Sequence, residues 1–210
     1  AIGAGTNSTA RDAEFIGDLG KYNLRTTNPD GTHTIQNTAD NNLRLGFEIN
    51  GSINSPGDVD VYSFTGVAGS EVWIDIDRST MSLDTVVELI TSSGTILALS
   101  DNSYAESQGQ YPVFARTASS IRANSLNKSQ YISDDLYGTN PRDAGMRVIL
   151  PGVFGGTGTY QIRVRSSNID SLDPSANRAD LLDPAKVFNG ITFGSYQLQI
   201  RLQETDEVPG

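Results

Sequence analysis

Two segments late in the chain alternate apolar and polar residues without a break. Tyr160, Ile162 and Val164 interleave with Gln161, Arg163 and Arg165, and Tyr196, Leu198, Ile200 and Leu202 interleave with Gln197, Gln199, Arg201 and Gln203. Successive strand side chains point to opposite faces, so each segment has one face for a core and one for water. The same period runs through Leu43, Leu45, Phe47 and Ile49, and through Val72, Ile74 and Ile76 set against Glu71, Trp73, Asp75 and Asp77. Between them, residues 58–65 place Val59 and Val61 on one face and Tyr62 and Phe64 on the other. Residues 85–91 and 95–100 are apolar on both faces, the mark of central strands, and 146–150 form a shorter one. Turns lie at Asn50-Gly51, Ser55-Pro56-Gly57-Asp58 and Ser92-Ser93-Gly94. About eight strands with turn-rich connections predict an all-β fold, an antiparallel, jelly-roll-like β-sandwich with long loop insertions.

Three stretches interrupt the rhythm and set the expected organisation. Residues 1–42 read as a polar N-terminal extension that packs on or links to the sandwich; Phe15, Ile16, Leu19 and Tyr22 form a weakly helical patch there, broken by Gly17 and Gly20. The sandwich spans 43–203, with insertions at 101–145 and 166–191, and 204–210 form a C-terminal linker. The first insertion holds Tyr104, Tyr111, Phe114, Tyr131 and Tyr137 without periodicity. The second repeats Leu-Asp-Pro at 172–174 and 182–184, where Asp as cap and Pro as first residue predict short helical turns. Loops of this length are expected to be functional or to fold over the sandwich.

Charge narrows the function. Lys and Arg number 15 against 25 Asp and Glu, a net charge of −10, so nucleic acid and anionic membranes are poor partners. Carboxylates in loops suit calcium, although an acidic surface also serves solubility alone. The absence of Cys excludes disulfides, thiolate zinc sites and a Cys nucleophile, and is compatible with export. No apolar run approaches the ~20 residues of a membrane span, so no membrane insertion is expected. The chain starts Ala1-Ile2-Gly3, which reads as processed or excised from something longer.

Catalysis has little to build on. His33 is the single histidine, in a polar stretch, with no Gly-x-Ser-x-Gly elbow anywhere in the chain. No phosphate loop or dinucleotide fingerprint occurs. Acid pairs such as Asp75/Asp77 and Asp134/Asp135 do not by spacing establish the cleft a glycosidase needs. The chain is expected not to be an enzyme.

Asn50-Gly51-Ser52-Ile53, followed by Gly57-Asp58-Val59-Asp60-Val61-Tyr62-Ser63-Phe64, resembles the opening of the bacterial pre-peptidase C-terminal (PPC) domain. Ala68-Gly69-Ser70, the run from Leu83 to Leu89, Gly94 with Ile96-Leu97-Ala98, and Ser100-Asp101-Asn102 follow in the family's order. Gly158-Thr159-Tyr160 and Gly194-Ser195-Tyr196 resemble the openings of its last two strands. The resemblance covers roughly 43–102 and 146–203. It implies a sandwich appended to secreted peptidases or repeated in surface proteins, similar to collagenase collagen-binding domains, some of which bind calcium. The wording of 58–77 and 139–146 also resembles modules of very large planctomycete-type exported proteins.

On this footing calcium is the expected cofactor, with Asp58, Asp60, Asp84 and Asp101 as candidate ligands. Asp58 and Asp60 are family-matched acids, while hairpin geometry would bring Asp84 and Asp101 to one end. Turn and cap chemistry is the competing role for all four. Trp73 is a candidate ligand-binding aromatic, the alternative being burial beneath an insertion. The expected function is a non-catalytic structural or adhesive module, secreted or at the cell surface, whose partners are neighbouring domains of the same polypeptide. The rival is a module binding polysaccharide or an extracellular protein.

Overall fold

The computed structural model describes residues 6–20, 25–27, 33–35, 43–44, 46–117, 121–126 and 140–202, with backbone alone for 25–27, 33–35 and 43–44. It is a β-sandwich. The strands are β1 (Glu14–Leu19), β2 (Arg25–Thr27), β3 (His33–Ile35), β4 (Leu43–Arg44), β5 (Gly46–Ile53), β6 (Val59–Val67), β7 (Glu71–Asp77), β8 (Thr85–Ile90), β9 (Ile96–Ser100), β10 (Phe114–Ala115), β11 (Arg122–Ser125), β12 (Gly145–Ile149), β13 (Thr157–Ser166) and β14 (Gly194–Leu202). A five-residue helix, α1 (Ser103–Ser107), follows β9. One sheet runs β10-β9-β8-β13-β6-β1-β4, the other β11-β12-β7-β14-β5, and β2 and β3 pair apart as a two-stranded ribbon.

The segment containing Phe15, Ile16 and Leu19 is a strand rather than the expected helical patch. β1 lies parallel to β6, with Glu14 opposite Tyr62 and Asp18 opposite Thr65, and β4 lies parallel to β1. The first sheet is therefore mixed, whereas the second is antiparallel throughout. Gly17, which weakens a helix, costs less at the bulge where the register shifts between Phe15 and Gly17, and Gly20 lies just past the strand. Tyr22 lies outside the described residues.

The inward faces of the two sheets enclose the main core. Tyr62, Phe64, Val87, Leu89, Ile162 and Val164 from one sheet meet Val72, Ile74, Ile76, Leu198 and Ile200 from the other. Gly51 is needed where it stands, since a Cβ there would fall 2.3 Å from Cζ of Tyr196, which lies opposite it in the ladder. The seven-stranded sheet is apolar on its outer face as well. Val59, Val61, Val86 and Ile90 form a second core with Ile169, Leu181 and Val187, so residues 167–193 act as a cover over that face. Of the two Leu-Asp-Pro repeats, the second opens a 3-10 turn, Pro184–Lys186, capped by Asp183 onto the Ala185 amide at 2.9 Å. At the first, Asp173 instead closes a turn onto the Ser175 amide at 2.8 Å.

Under the cover lies an ionic cluster. Glu88 is fully buried and accepts from Arg163 Nε and, at 2.9 Å, from Arg165 Nε. β13 and β8 bring the three together because Arg163 is opposite Glu88 in the ladder and Arg165 is two residues along on the same face. Arg165 also donates to the Leu181 carbonyl at 2.9 Å and to Asn168 Oδ1 at 3.2 Å, which ties the cover to the strand. Alternation alone turns the face of these arginines toward water, whereas they pair with a carboxylate beneath the cover. Removing one partner of a buried ionic group strands the other charge. Glu88→Ala is thus expected to lower unfolding stability by about 3–5 kcal/mol in urea, and an unchanged midpoint would show that the cluster adds nothing.

Candidate functional site

The connections at one end of the sandwich gather most of the candidate residues. This acidic end is made of the turns before β6 and β8, the chain after β9, residues 140–144, and both ends of the cover. β6 leaves it as β13 arrives, Asp60 facing Val164 in the ladder. Ser166, the last residue of β13, lies opposite Thr85, the first residue of β8.

Asp58 is half-buried and held by its own turn, accepting from the Asn54 amide at 2.8 Å, Asn54 Nδ2 at 3.1 Å and the Val59 amide at 3.0 Å. Asp60 is buried and shares an inward face with Tyr62. It accepts from the Tyr196 hydroxyl at 2.6 Å, and that oxygen lies 2.9 Å from the Tyr62 hydroxyl. Burial raises the Asp60 carboxyl above its ordinary range, against the opposing Tyr196 hydrogen bond, and nearby Asp58 and Glu14 push the same way as burial. Asn7 also bonds to it. Two oxygens in this neighbourhood, Asn7 Oδ1 and Glu14 Oε2, are enclosed without a hydrogen-bond partner among the described residues.

Asp84 and Asp101 do meet. Ser167 joins them, its amide donating to the Asp84 carbonyl at 2.8 Å and its hydroxyl to Asp101 Oδ1 at 2.9 Å. Asp84 Oδ2 accepts from the Ser171 amide at 3.1 Å and hydroxyl at 2.8 Å, with Arg142 Nε 3.6 Å away. Asp101 Oδ2 pairs with Arg178 at 3.1 Å, and that guanidinium lies 3.3 Å from the Tyr111 ring centroid. Guanidinium groups thus stand as counter-charges to both aspartates. Glu106, from α1, completes the cluster by accepting from Ser100 Oγ at 2.6 Å and the Asp101 amide at 3.1 Å. Burial, reinforced by Asp101, pushes Asp84 up to about 7. Burial likewise raises Glu106 to about 8 and holds Asp101 high despite Arg178. Among the described residues, no three His, Cys, Asp or Glu side chains are grouped closely enough to hold a metal ion.

Trp73 stands on the outer face of the five-stranded sheet, opposite Arg147 of β12 and Arg201 of β14. It is half-buried, with the Arg201 guanidinium 6.0 Å from its ring centroid. Its indole Nε1 is enclosed and finds no acceptor among the described residues. No described tyrosine forms a row with it: Tyr62, Tyr160 and Tyr196 are in the core, Tyr104 lies on α1 and Tyr111 sits beside Arg178. Tyr131, Tyr137, Asp134 and Asp135 lie outside the described residues. His33 opens β3, opposite Thr27.

Asn7, Glu14, Glu106, Arg142 and Arg178 were not singled out by sequence reasoning. A usable signal existed only for Glu88, a lone charge in the otherwise apolar run from Val86 to Ile90. The others come from segments that show no strand period, so only the folded chain reveals what they face.

Residues 58–133 match the bacterial pre-peptidase C-terminal domain family. No curated protein sequence matches the chain. Among solved structures the chain is similar to PliG of Aeromonas hydrophila, a periplasmic inhibitor of g-type lysozyme. The identity is 12%, with 91% of this chain and 99% of that chain covered and a TM-score of 0.29, a likeness too distant to carry an argument. No helix among the described residues is long and apolar enough to cross a membrane.

The raised carboxyls fix the sign of a pH dependence. Glu106 ionises near 4.5 when unfolded and about 8 when folded, so its contribution to stability is greatest below 4.5 and is lost as the pH climbs to about 8. Asp84 acts in the same sense between 3.8 and about 7. Urea unfolding from pH 5 to pH 8 is therefore expected to show falling stability, with a slope shallower by roughly 1 kcal/mol per pH unit in Glu106→Gln. Parallel profiles for the two proteins would contradict this account.

Proposed function

We propose that the chain is a non-catalytic structural or adhesive module of a larger exported protein, and that calcium ties its N-terminal segment to the sandwich. The family match supports a non-catalytic module. The observation that carries the calcium reading is the pair of enclosed oxygens, Asn7 Oδ1 and Glu14 Oε2, that have no hydrogen-bond partner among the described residues and lie beside the buried Asp60 carboxyl. Calcium binds hard oxygen donors of this mixed carboxylate and amide kind. Asp60, Glu14 and Asn7 would hold it, while both oxygens of Asp58 stay engaged by Asn54 and Val59. The ion would offset the repulsion between Asp60, Asp58 and Glu14 and join the segment before β1 to the start of β6. Asp84 and Asp101 already face Arg142 and Arg178, so they support the reading less.

A module of this kind spaces and stabilises neighbouring domains of its own polypeptide outside the cell. The rival role, attachment to polysaccharide or an extracellular protein through Trp73, draws on an aromatic that is half-buried and flanked by Arg201.

Thermal unfolding in EDTA and then in millimolar calcium tests the proposal. An ion at ~100 times its dissociation constant adds about 2.7 kcal/mol, so the midpoint is expected to rise several degrees in the native chain and not in Asp60→Asn. Equal midpoints with and without calcium in the native chain would end the calcium reading and leave the fold untouched.

A further inference from the structure

The two ends of the sandwich are unlike in charge, and both expose apolar side chains. At the acidic end the chain from Val187 to Gly194 crosses between two turns. A Cβ on Gly190 would lie 2.1 Å from the Pro56 carbonyl oxygen, and one on Gly194 would lie 2.7 Å from the Thr80 Cβ. Thr192 anchors the crossing, its Oγ1 accepting from the Asp84 amide at 2.9 Å and lying 2.7 Å from Ser166 Oγ. Flanking this anchor, Phe188, Ile191 and Phe193 are 54%, 53% and 60% exposed, and Met81 lies beside Thr80 at 60%. Asp58 follows Gly57, whose Cβ would lie 3.0 Å from the Phe188 carbonyl oxygen, and the exposed Asp170 adjoins Ser171, which bonds to Asp84. Of the bases there, Arg142 is shared between Asp84 and Asp170, each 3.6 Å away, Arg178 pairs with Asp101 at 3.1 Å, Lys186 pairs with Asp180 at 2.8 Å, and Arg78 is exposed.

The opposite end carries the turn between β12 and β13. Gly152 and Gly155, at φ of 135° and 78°, bend it so that Val153 and Phe154 project at 84% and 87% exposure. Phe154 leans one ring edge on Gly69. Arg116, Arg122 and Arg201 are exposed at this end, and Arg147 pairs with Glu71 at 3.5 Å, while Asp18 is half-buried. Among the described residues this end is basic.

We infer that copies of this chain associate head to tail, the Val153-Phe154 tip and its arginines docking on the Phe188-Ile191-Phe193 strip and its carboxylates of a second copy. Opposite charges meet in this arrangement alone, since like ends placed together would oppose carboxylates or guanidinium groups. An interface between unlike surfaces does not close on itself through a two-fold axis, so association adds copies in a line. Exposed apolar groups with a polar rim are the surface such a contact requires. This inference is independent of calcium and of the Asp60 site.

Complementary variants provide the test. Phe154→Asp blocks the tip and Phe193→Asp blocks the strip, and both side chains are exposed, so circular dichroism melts should match the native chain. If either variant melts early, Val153→Asp or Ile191→Asp replaces it. In sedimentation velocity the native chain is expected to grow beyond a dimer with concentration and to dissociate as salt rises. Each variant alone should stay monomeric, and their equimolar mixture should give a dimer that grows no further. A native chain that stays monomeric up to millimolar concentration, a single variant that still assembles, or a mixture that stays monomeric would overturn the inference.

Discussion

Glu88 has no contact with water, and its charge is met by two guanidinium groups from the neighbouring strand. That arrangement depends on register. A slip of β13 against β8 by one residue would turn Arg163 and Arg165 into the inter-sheet core and Ile162 and Val164 out of it. It also depends on the cover, because Arg165 places its remaining donors on Leu181 and Asn168. A buried charge therefore discriminates among alternative pairings that the apolar residues of β8, present on both faces, would tolerate. The apolar outer face makes the cover necessary, and the ionic cluster fixes where it sits.

The acidic end repeats the same physics with less complete compensation. Asp84, Asp101 and Glu106 are nearly sealed from solvent, and the guanidinium groups facing them, Arg142 and Arg178, remain about 30% exposed. Serine hydroxyls and backbone amides provide the rest, drawn from two segments: Ser100 from β9, Ser167 and Ser171 from the cover. Polar residues without periodicity in the sequence are thereby joined into one hydrogen-bonded block.

The residues that alternate cleanly revealed the fold. β6, β7, β13 and β14 lie where period-two spacing places them, β5 runs on to Ile53 through the Asn50-Gly51 pair expected as a turn, and the apolar runs of β8 and β9 are central, as expected. β1 was misread because Phe15, Ile16 and Leu19 satisfy a helical spacing as well as a strand in a short window, and pairing with β6 decided the matter. The family match at 58–133 overlaps the ordered motifs over 58–102, runs on into the expected insertion, and does not extend to 146–203. The site was less legible. Hairpin reasoning brought Asp84 and Asp101 together correctly, but nothing in the sequence indicates that arginines 58 and 77 residues further on would meet them. Trp73 alternates outward as its spacing implies, while its degree of enclosure depends on long-range packing.

Glu48 of β5 faces Gln199 of β14, and Glu14 of β1 faces Tyr62 of β6. Partners so distant in sequence meet only after much of the chain has been searched, so this topology folds slowly. The cover joins β13 to β14, which belong to different sheets, while its anchors on Asp84 and Arg165 both lie at the seven-stranded sheet, one just before β8 and one on β13. Docking of residues 167–193 therefore requires β8 and β13 to be paired, and the apolar outer face of the seven-stranded sheet is open to solvent wherever the cover is not seated.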